Sequence, residues 1–93
     1  MMTDLAIHVY EPYKSIIGQE RVRITMASPA TARDVIRNML MAFPALADAL
    51  PSLDDGDRFM WEILLLQGSR IMGLDEIVEE AETLHFLPAI VSG

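Results

Sequence analysis

Side chains that could perform acid–base or metal chemistry are few and scattered in this sequence. It contains two histidines and no cysteine, which excludes a thiolate nucleophile, a thiolate zinc site and a disulfide framework. No serine lies in a nucleophile motif. The aspartates of residues 54–57 lack the spacing and the closing glutamate of a calcium loop. The sequence therefore predicts no catalytic residue, no metal and no cofactor, and the chain is not expected to be an enzyme.

The two histidines fall on predicted strands at opposite ends of the chain. Alternation places His8 on one face with Tyr10, and His85 on the corresponding face with Leu87. If the two strands are neighbours, these four side chains form a partner-docking patch of aromatic and aliphatic groups. An ordinary solvent-exposed sheet face is the alternative. A two-histidine metal site has no supporting motif.

The first half of the chain predicts two strands and a helix. Residues 5–10 and 20–26 alternate in the manner of strands, and the nine-residue link predicts an antiparallel pair with a long loop. Thr31 and Asp34 have the spacing of a capping box. An apolar stripe then runs to Phe43, and Pro44 ends or kinks the helix. Residues 45–50 could form a further short turn.

The second half predicts three more strands. Residues 52–58 are polar and rich in aspartate, as in a turn, and residues 61–67 form an apolar run typical of a strand buried on both faces. Gly68 and Ser69 predict a tight turn into a short strand at residues 70–72. An acidic segment follows, and residues 83–87 form the last strand, which Pro88 is expected to stop.

Charge and hydropathy exclude several classes of partner. The 93 residues are 52% hydrophobic, and 14 acidic against 7 basic residues give a net charge of −7. Nucleic acid is an improbable partner of so acidic a chain, whereas a basic protein surface would be attracted. No segment approaches the length of a membrane helix, and the first residues lack the basic region of a signal peptide. These observations predict a cytoplasmic protein with no membrane partner.

The order strand, strand, helix, strand, short strand, strand predicts an α+β fold of the β-grasp (ubiquitin-like) class. One main helix would cross a mixed sheet of four to five strands, with the first and last strands side by side in the centre. The predicted domain covers residues 1–87. Residues 88–93 would leave the sheet as a flexible C-terminal tail, which consists of Pro88, Ala89, Ile90, Val91, Ser92 and Gly93.

Several stretches, taken in order, resemble the ThiS/MoaD sulfur-carrier family. The stretch Val9-Tyr10-Glu11-Pro12-Tyr13-Lys14-Ser15-Ile16-Ile17-Gly18 is similar to that family's opening. Residues 28–36 resemble the entry to its helix, and residues 43–46 the exit. Residues 65–71 are similar to its central strand and hairpin, and residues 84–90 to its last strand and the start of its tail. The resemblance covers nearly the whole chain.

The resemblance implies a function for the tail. In this family an E1-like enzyme adenylates the terminal glycine with ATP, and sulfur then replaces the adenylate to give a thiocarboxylate. Gly93 is the corresponding residue here, and residues 88–93 would be inserted into the partner. The sulfur would pass to a sulfur-accepting synthase subunit in cofactor biosynthesis, with molybdopterin as the expected pathway. Glycine suits a narrow channel because it has no Cβ.

Two departures from the family pattern leave other functions open. Ser92 stands where the family has the first residue of a Gly-Gly pair, and Ala81 stands in place of a turn glycine. A chain that ends one glycine after Gly93 would fit a carrier, whereas a chain that continues would fit a non-carrier interaction module such as the β-grasp domain of phage tail-assembly proteins. A ubiquitin-like protein modifier is the third alternative. The biosynthetic pathway depends on the partner enzymes.

Overall fold

The computed structural model describes residues 1–79 and 82–89, which form one sheet covered on one side by helices. The strands are β1 (Met2–Val9), β2 (Arg21–Ala27), β3 (Ile63–Gln67), β4 (Arg70–Ile71) and β5 (Leu84–Pro88). The helices are α1 (Tyr13–Ile17), α2 (Ala32–Ala42), α3 (Pro44–Asp48) and α4 (Gly56–Glu62).

The sheet is mixed and has the strand order β2-β1-β5-β3-β4. The first and last strands run parallel to each other, with Ile7 opposite Leu84 and Val9 opposite Phe86. The other pairs are antiparallel. The predicted antiparallel pairing of the first two strands and the central position of the first and last strands are both confirmed. This order places the last strand between two neighbours until the chain leaves the sheet.

The main helix begins where the sequence predicts. The backbone N–H of Asp34 donates to the Thr31 hydroxyl across 3.2 Å, and the Thr31 N–H donates to the Asp34 carboxylate across 3.0 Å. This capping box satisfies two donors at the helix start that would otherwise lack partners. Val35, Ile36 and Met39 on the apolar stripe are fully buried. Their burial against the sheet fixes α2 across it.

The core lies between this helical layer and one face of the sheet. Alternate residues of β1 and β2 are buried while those between them are exposed or half-buried, which is the period of two that strands require. The largest fully buried side chains belong to both layers: Phe59, Phe86, Leu5, Ile7, Ile36, Met39, Leu46, Ile63, Leu65, Met72, Leu84 and Val9. The opposite side of the sheet carries no helix among the described residues, and we call it the open face.

The region before β3 differs from the prediction. Residues 56–62 form α4 rather than a turn followed by the first residues of a strand. Asp55 caps this helix by accepting the Arg58 N–H across 3.3 Å, and Phe59 on its inner side is fully buried. The apolar run at residues 61–67 is therefore shared between a helix end and a strand, which periodicity alone does not separate in so short a segment.

The prediction that this strand is buried on both faces was wrong. Ile63, Leu65 and Gln67 are buried, whereas Leu64 and Leu66 are half-buried on the open face. Two further short helices, α1 and α3, lie in segments expected to be a loop and a turn. β5 includes Pro88, one residue beyond the predicted end of the strand. Among the described residues, no helix combines the length and apolar character needed to span a bilayer.

Candidate functional site: the open face and the chain exit

His8, Tyr10 and His85 form a cluster of rings on the open face. The His8 and Tyr10 rings stack with centroids 4.4 Å apart and planes inclined by 18°. His85 lies directly opposite His8 in the parallel pair, and its ring centroid is 5.8 Å from that of His8. The Tyr10 hydroxyl is 3.0 Å from His85 Nδ1, within hydrogen-bond distance. The structure therefore brings together the histidines and the tyrosine of the predicted patch.

Aliphatic side chains extend this cluster across the sheet. Leu87, the fourth predicted member, is half-buried and lies opposite Leu64 of β3. Leu66 lies opposite both His85 and Ile71, and Ile71 on the edge strand is 57% exposed. We call the whole set the docking face; its members are His8, Tyr10, Leu64, Leu66, Ile71, His85 and Leu87.

The sequence analysis missed three members of the docking face, namely Leu64, Leu66 and Ile71. Alternation in the sequence does not reveal them, because Gln67 is in register with Ile63 and Leu65 and a polar residue at that spacing predicts a solvent-exposed side. In the structure Gln67 is buried with Ile63 and Leu65, so the leucines between them lie on the open face. A row of apolar side chains on the open face indicates a surface for another molecule, since covering exposed leucine and isoleucine side chains lowers the free energy.

Charged side chains border the docking face on its β2 side. Glu20 Oε1 lies 3.4 Å from His8 Nε2. The Arg23 guanidinium donates to the Asp4 carboxylate across 2.7 Å. Such exposed pairs contribute little to stability, but they supply a polar rim around an apolar centre. A polar rim around aromatic and aliphatic groups is the usual composition of a protein–protein interface.

The chain leaves the sheet beside the start of β3. Pro88 pairs with Ile63, and the Ala89 N–H donates to the Glu62 carbonyl across 2.9 Å. The Tyr13 hydroxyl donates to the same carbonyl across 3.3 Å. Burial raises the pKa of Tyr13 above its usual value, and the charge of Glu62 adds to this rise. Of the predicted tail, Pro88 and Ala89 are thus held on the domain, whereas Ile90, Val91, Ser92 and Gly93 lie outside the described residues.

The acidic and histidine side chains of the described residues do not form a metal-binding arrangement. Within residues 1–79 and 82–89, no three histidine, aspartate or glutamate side chains are grouped so that they could hold a metal ion. The Tyr10 and His85 pair lies on the open face of the sheet. The docking face and the chain exit lie next to each other, since Leu87 directly precedes Pro88 at the end of β5.

Solved structures of other proteins share this architecture over nearly their whole length. Small archaeal modifier protein 1 of Haloferax volcanii matches with a TM-score of 0.81 and 19% identity, covering 95% of this chain and 99% of that one. A putative molybdopterin converting factor, subunit 1, from Pyrococcus furiosus matches with a TM-score of 0.77 and 13% identity, covering 95% and 99%. A chain of the BexX/CysO complex of Amycolatopsis orientalis matches with a TM-score of 0.69 and 18% identity, covering 96% and 99%.

The chain is a β-grasp domain. No family model matches it, and no curated protein matches its sequence. The TM-scores of 0.69–0.81 establish a shared fold with these solved structures, and the identities of 13–19% limit the likeness to the fold. The predicted fold class is thereby confirmed. Function is carried by sites and not by the fold alone.

Proposed function

We propose that this β-grasp domain is a sulfur carrier whose Gly93 carboxylate is activated with ATP by an E1-like adenylating enzyme and converted to a thiocarboxylate. The observation that carries the proposal is the position of the chain exit. The last strand runs through the middle of the sheet to Pro88, beside the docking face. A partner that covers the face can therefore receive residues 90–93 at the same time.

The proposed chemistry needs only the carboxylate from the carrier. A Gly93 carboxylate oxygen attacks the α-phosphorus of ATP, and the bond from that phosphorus to the β-phosphate oxygen breaks to release pyrophosphate. Hydrosulfide then attacks the acyl carbon of the adenylate. The carbon–oxygen bond to AMP breaks, AMP leaves, and the glycine carries sulfur in place of one oxygen. In this proposal the adenylating enzyme supplies every acid, base and metal.

His8, Tyr10, His85 and Leu87 would bind the adenylating enzyme and then a sulfur-accepting synthase subunit. The His8 ring stacks on Tyr10, and Tyr10 is hydrogen-bonded to His85, so these side chains are already ordered before binding. They would therefore lose little conformational freedom at an interface. Molybdopterin biosynthesis is the pathway we propose. Its support is the likeness to the molybdopterin converting factor subunit of P. furiosus.

Intact mass measurement tests the proposal directly. The domain, with its native C-terminus established, is incubated with the adenylating enzyme of the same genome, ATP and sulfide. We expect a mass gain equal to the difference between sulfur and oxygen. Because the chain has no cysteine, iodoacetamide should alkylate the product and not the starting protein. A domain that lacks Gly93 should show neither change, and no mass gain in the full domain would refute the carrier.

The Ser92→Gly variant provides a sharper comparison. It restores the Gly-Gly ending of the resembled family and removes a Cβ from the segment that enters the enzyme. If the enzyme holds this segment in a narrow channel, the variant should be adenylated at least as fast as the wild type.

A native chain that continues past Gly93 would instead support the non-carrier interaction module.

A protein modifier is the second candidate. Its support is the TM-score of 0.81 to small archaeal modifier protein 1. A modifier would be found joined through Gly93 to lysine side chains of other proteins. Mass spectrometry of tagged domain purified from its own cells would detect such branched peptides, and their absence together with a thiocarboxylate would support the carrier alone.

A further inference from the structure

Trp61 is exposed at the place where the chain leaves the domain. It is the one tryptophan of the sequence, and 72% of its surface is exposed. It belongs to the last turn of α4, immediately before Glu62, whose carbonyl accepts the Ala89 N–H. Phe59 of the same helix is fully buried, so α4 is packed through one side and presents the indole on another.

The surface around Trp61 is predominantly acidic. A shallow depression beside the indole is lined by Asp55, Asp57, Arg58 and Glu62. Three carboxylates and one guanidinium give it a net negative charge at neutral pH. This surface lies outside the docking face, which consists of strand residues and of Tyr10 directly after β1. An apolar ring within an acidic rim fits a partner surface that has an apolar pocket edged by basic side chains.

We propose that Trp61 inserts into such a pocket on the adenylating enzyme, next to the entrance through which the enzyme receives residues 90–93. The inference rests on the proposed function. The enzyme is the chosen occupant because the entrance must face the chain exit, and α4 ends one hydrogen bond from that exit. Tryptophan in a desolvated pocket is the side chain most often found to dominate an interface.

Kinetics of adenylation test the inference with a matched pair of variants. Trp61→Ala removes the indole. Met41→Ala removes an apolar side chain of similar exposure, 74%, from α2. In ATP–pyrophosphate exchange catalysed by the enzyme, we expect Trp61→Ala to raise KM for the domain about tenfold or more and to leave kcat within about twofold. Met41→Ala should change neither. Trp61→Phe should have a KM between those of the wild type and Trp61→Ala.

A spectroscopic measurement makes the test independent of turnover. Domain labelled with 5-fluorotryptophan has a single ¹⁹F resonance, because it has a single tryptophan. Addition of unlabelled adenylating enzyme without ATP should shift or broaden this resonance, with an apparent Kd that Met41→Ala leaves unchanged. The spectrum of the labelled domain alone should not change with its own concentration.

The outcomes separate this inference from the proposed function. A normal KM for Trp61→Ala in an enzyme that adenylates the wild type would overturn the inference and leave the carrier intact. A loss confined to kcat would also overturn it, because a binding contact acts on KM. A resonance that shifts with domain concentration alone would assign the indole to a second copy of the chain. A wild-type domain that is never adenylated would overturn both proposals.

Discussion

The backbone N–H of Ala89 donates to the carbonyl of Glu62 across 2.9 Å, one residue beyond the pairing of Pro88 with Ile63. The end of the last strand is thereby attached to the beginning of β3. Tyr13 donates to the same carbonyl, so three separate segments meet where the chain leaves the sheet. The position of Ala89, from which residues 90–93 continue, is therefore fixed relative to the docking face. A partner that binds both would meet them in one fixed arrangement.

Ala89→Pro removes the donor of this hydrogen bond. Proline at position 89 restricts Pro88 to extended conformations, which the strand already adopts, but its Cδ takes the place of the hydrogen that points at the Glu62 oxygen. We expect the free energy of unfolding to fall by about 1 kcal/mol or more, from the lost hydrogen bond and from this close contact. Ala89→Ser keeps the N–H and serves as the control. Urea denaturation of both variants measures the difference, and equal midpoints would show that the bond contributes nothing.

The docking face can be tested by a charge placed at its edge. Ile71→Glu introduces a carboxylate at a position that is 57% exposed, where folding should be little affected. We expect binding to the adenylating enzyme to weaken about tenfold or more, because the charge would be desolvated in the complex. Ile77, 49% exposed and opposite Thr31 outside the docking face, gives the control Ile77→Glu.

Binding by both variants is measured by titration calorimetry, after urea denaturation has confirmed their folding. Unchanged affinity for Ile71→Glu would remove this edge from the interface. Equal losses in both variants would point to the net charge of the domain rather than to the docking face.

Gln67 holds the acidic segment against the sheet. Its side-chain amide donates to the carbonyls of Glu79 and Glu82 across 2.6 and 3.2 Å, and its side-chain oxygen accepts the Glu79 N–H across 2.7 Å. Gln67→Met keeps the length of this buried side chain but leaves these backbone groups without their partner. We expect the free energy of unfolding of Gln67→Met to be about 2–3 kcal/mol lower than that of the wild type.

Gln19 is exposed, so Gln19→Met controls for the change of residue type. Hydrogen exchange at the Glu79 amide adds a local readout, since its protection should fall more than that of the β1 amides. If the urea midpoint of Gln67→Met equals that of the wild type, the hydrogen bonds of the Gln67 side chain do not stabilise the fold.

The order of elements along the chain could be predicted in large part, because the first two strands alternate, turn residues bound the later ones and the main helix carries a capping box. Phe43 and Pro44 also end α2 where predicted. The position of α4 could not be predicted in this way. Its inward residue Phe59 and its exposed Trp61 differ in environment only after the helix has packed. Four of the seven side chains of the docking face were named from the sequence; the positions of Leu64, Leu66 and Ile71 depend on which strands become neighbours, and that pairing is non-local.

The Asp34 carboxylate makes the stability of α2 sensitive to acid. Its bonds with Thr31 hold the pKa of Asp34 below its usual value, and Arg37 and Arg33 contribute in the same direction. A lowered pKa means that the stabilisation is complete above the unfolded value of about 3.9 and is lost as pH falls through the folded value. At pH 7 we expect Asp34→Asn to cost about 0.5–1 kcal/mol.

Near pH 2 this difference from the wild type should be close to zero. Asp54→Asn, on an exposed residue before α4, should show no such dependence. Urea denaturation at both pH values gives the comparison, and a pH-independent cost of Asp34→Asn would mean that shape rather than charge matters at this cap.

Tyr13 makes the chain exit sensitive to base. Because burial raises its pKa, the folded domain binds its proton more tightly than the unfolded chain does. The corresponding stability is complete below the unfolded pKa of about 10 and is lost as pH rises through the folded value. Tyr13→Phe removes the ionisable group but keeps the ring, which packs edge-on against Phe86 with centroids 5.2 Å apart.

At pH 7 the Tyr13→Phe variant should lose less than about 1 kcal/mol, since the bond it removes is long at 3.3 Å. Between pH 9 and 11 its stability should fall less steeply than that of the wild type. Parallel curves for Tyr13→Phe and wild type would show that the hydroxyl ionises as freely in the fold as in water. In that case the Glu62 carbonyl would hold only Ala89 at the chain exit.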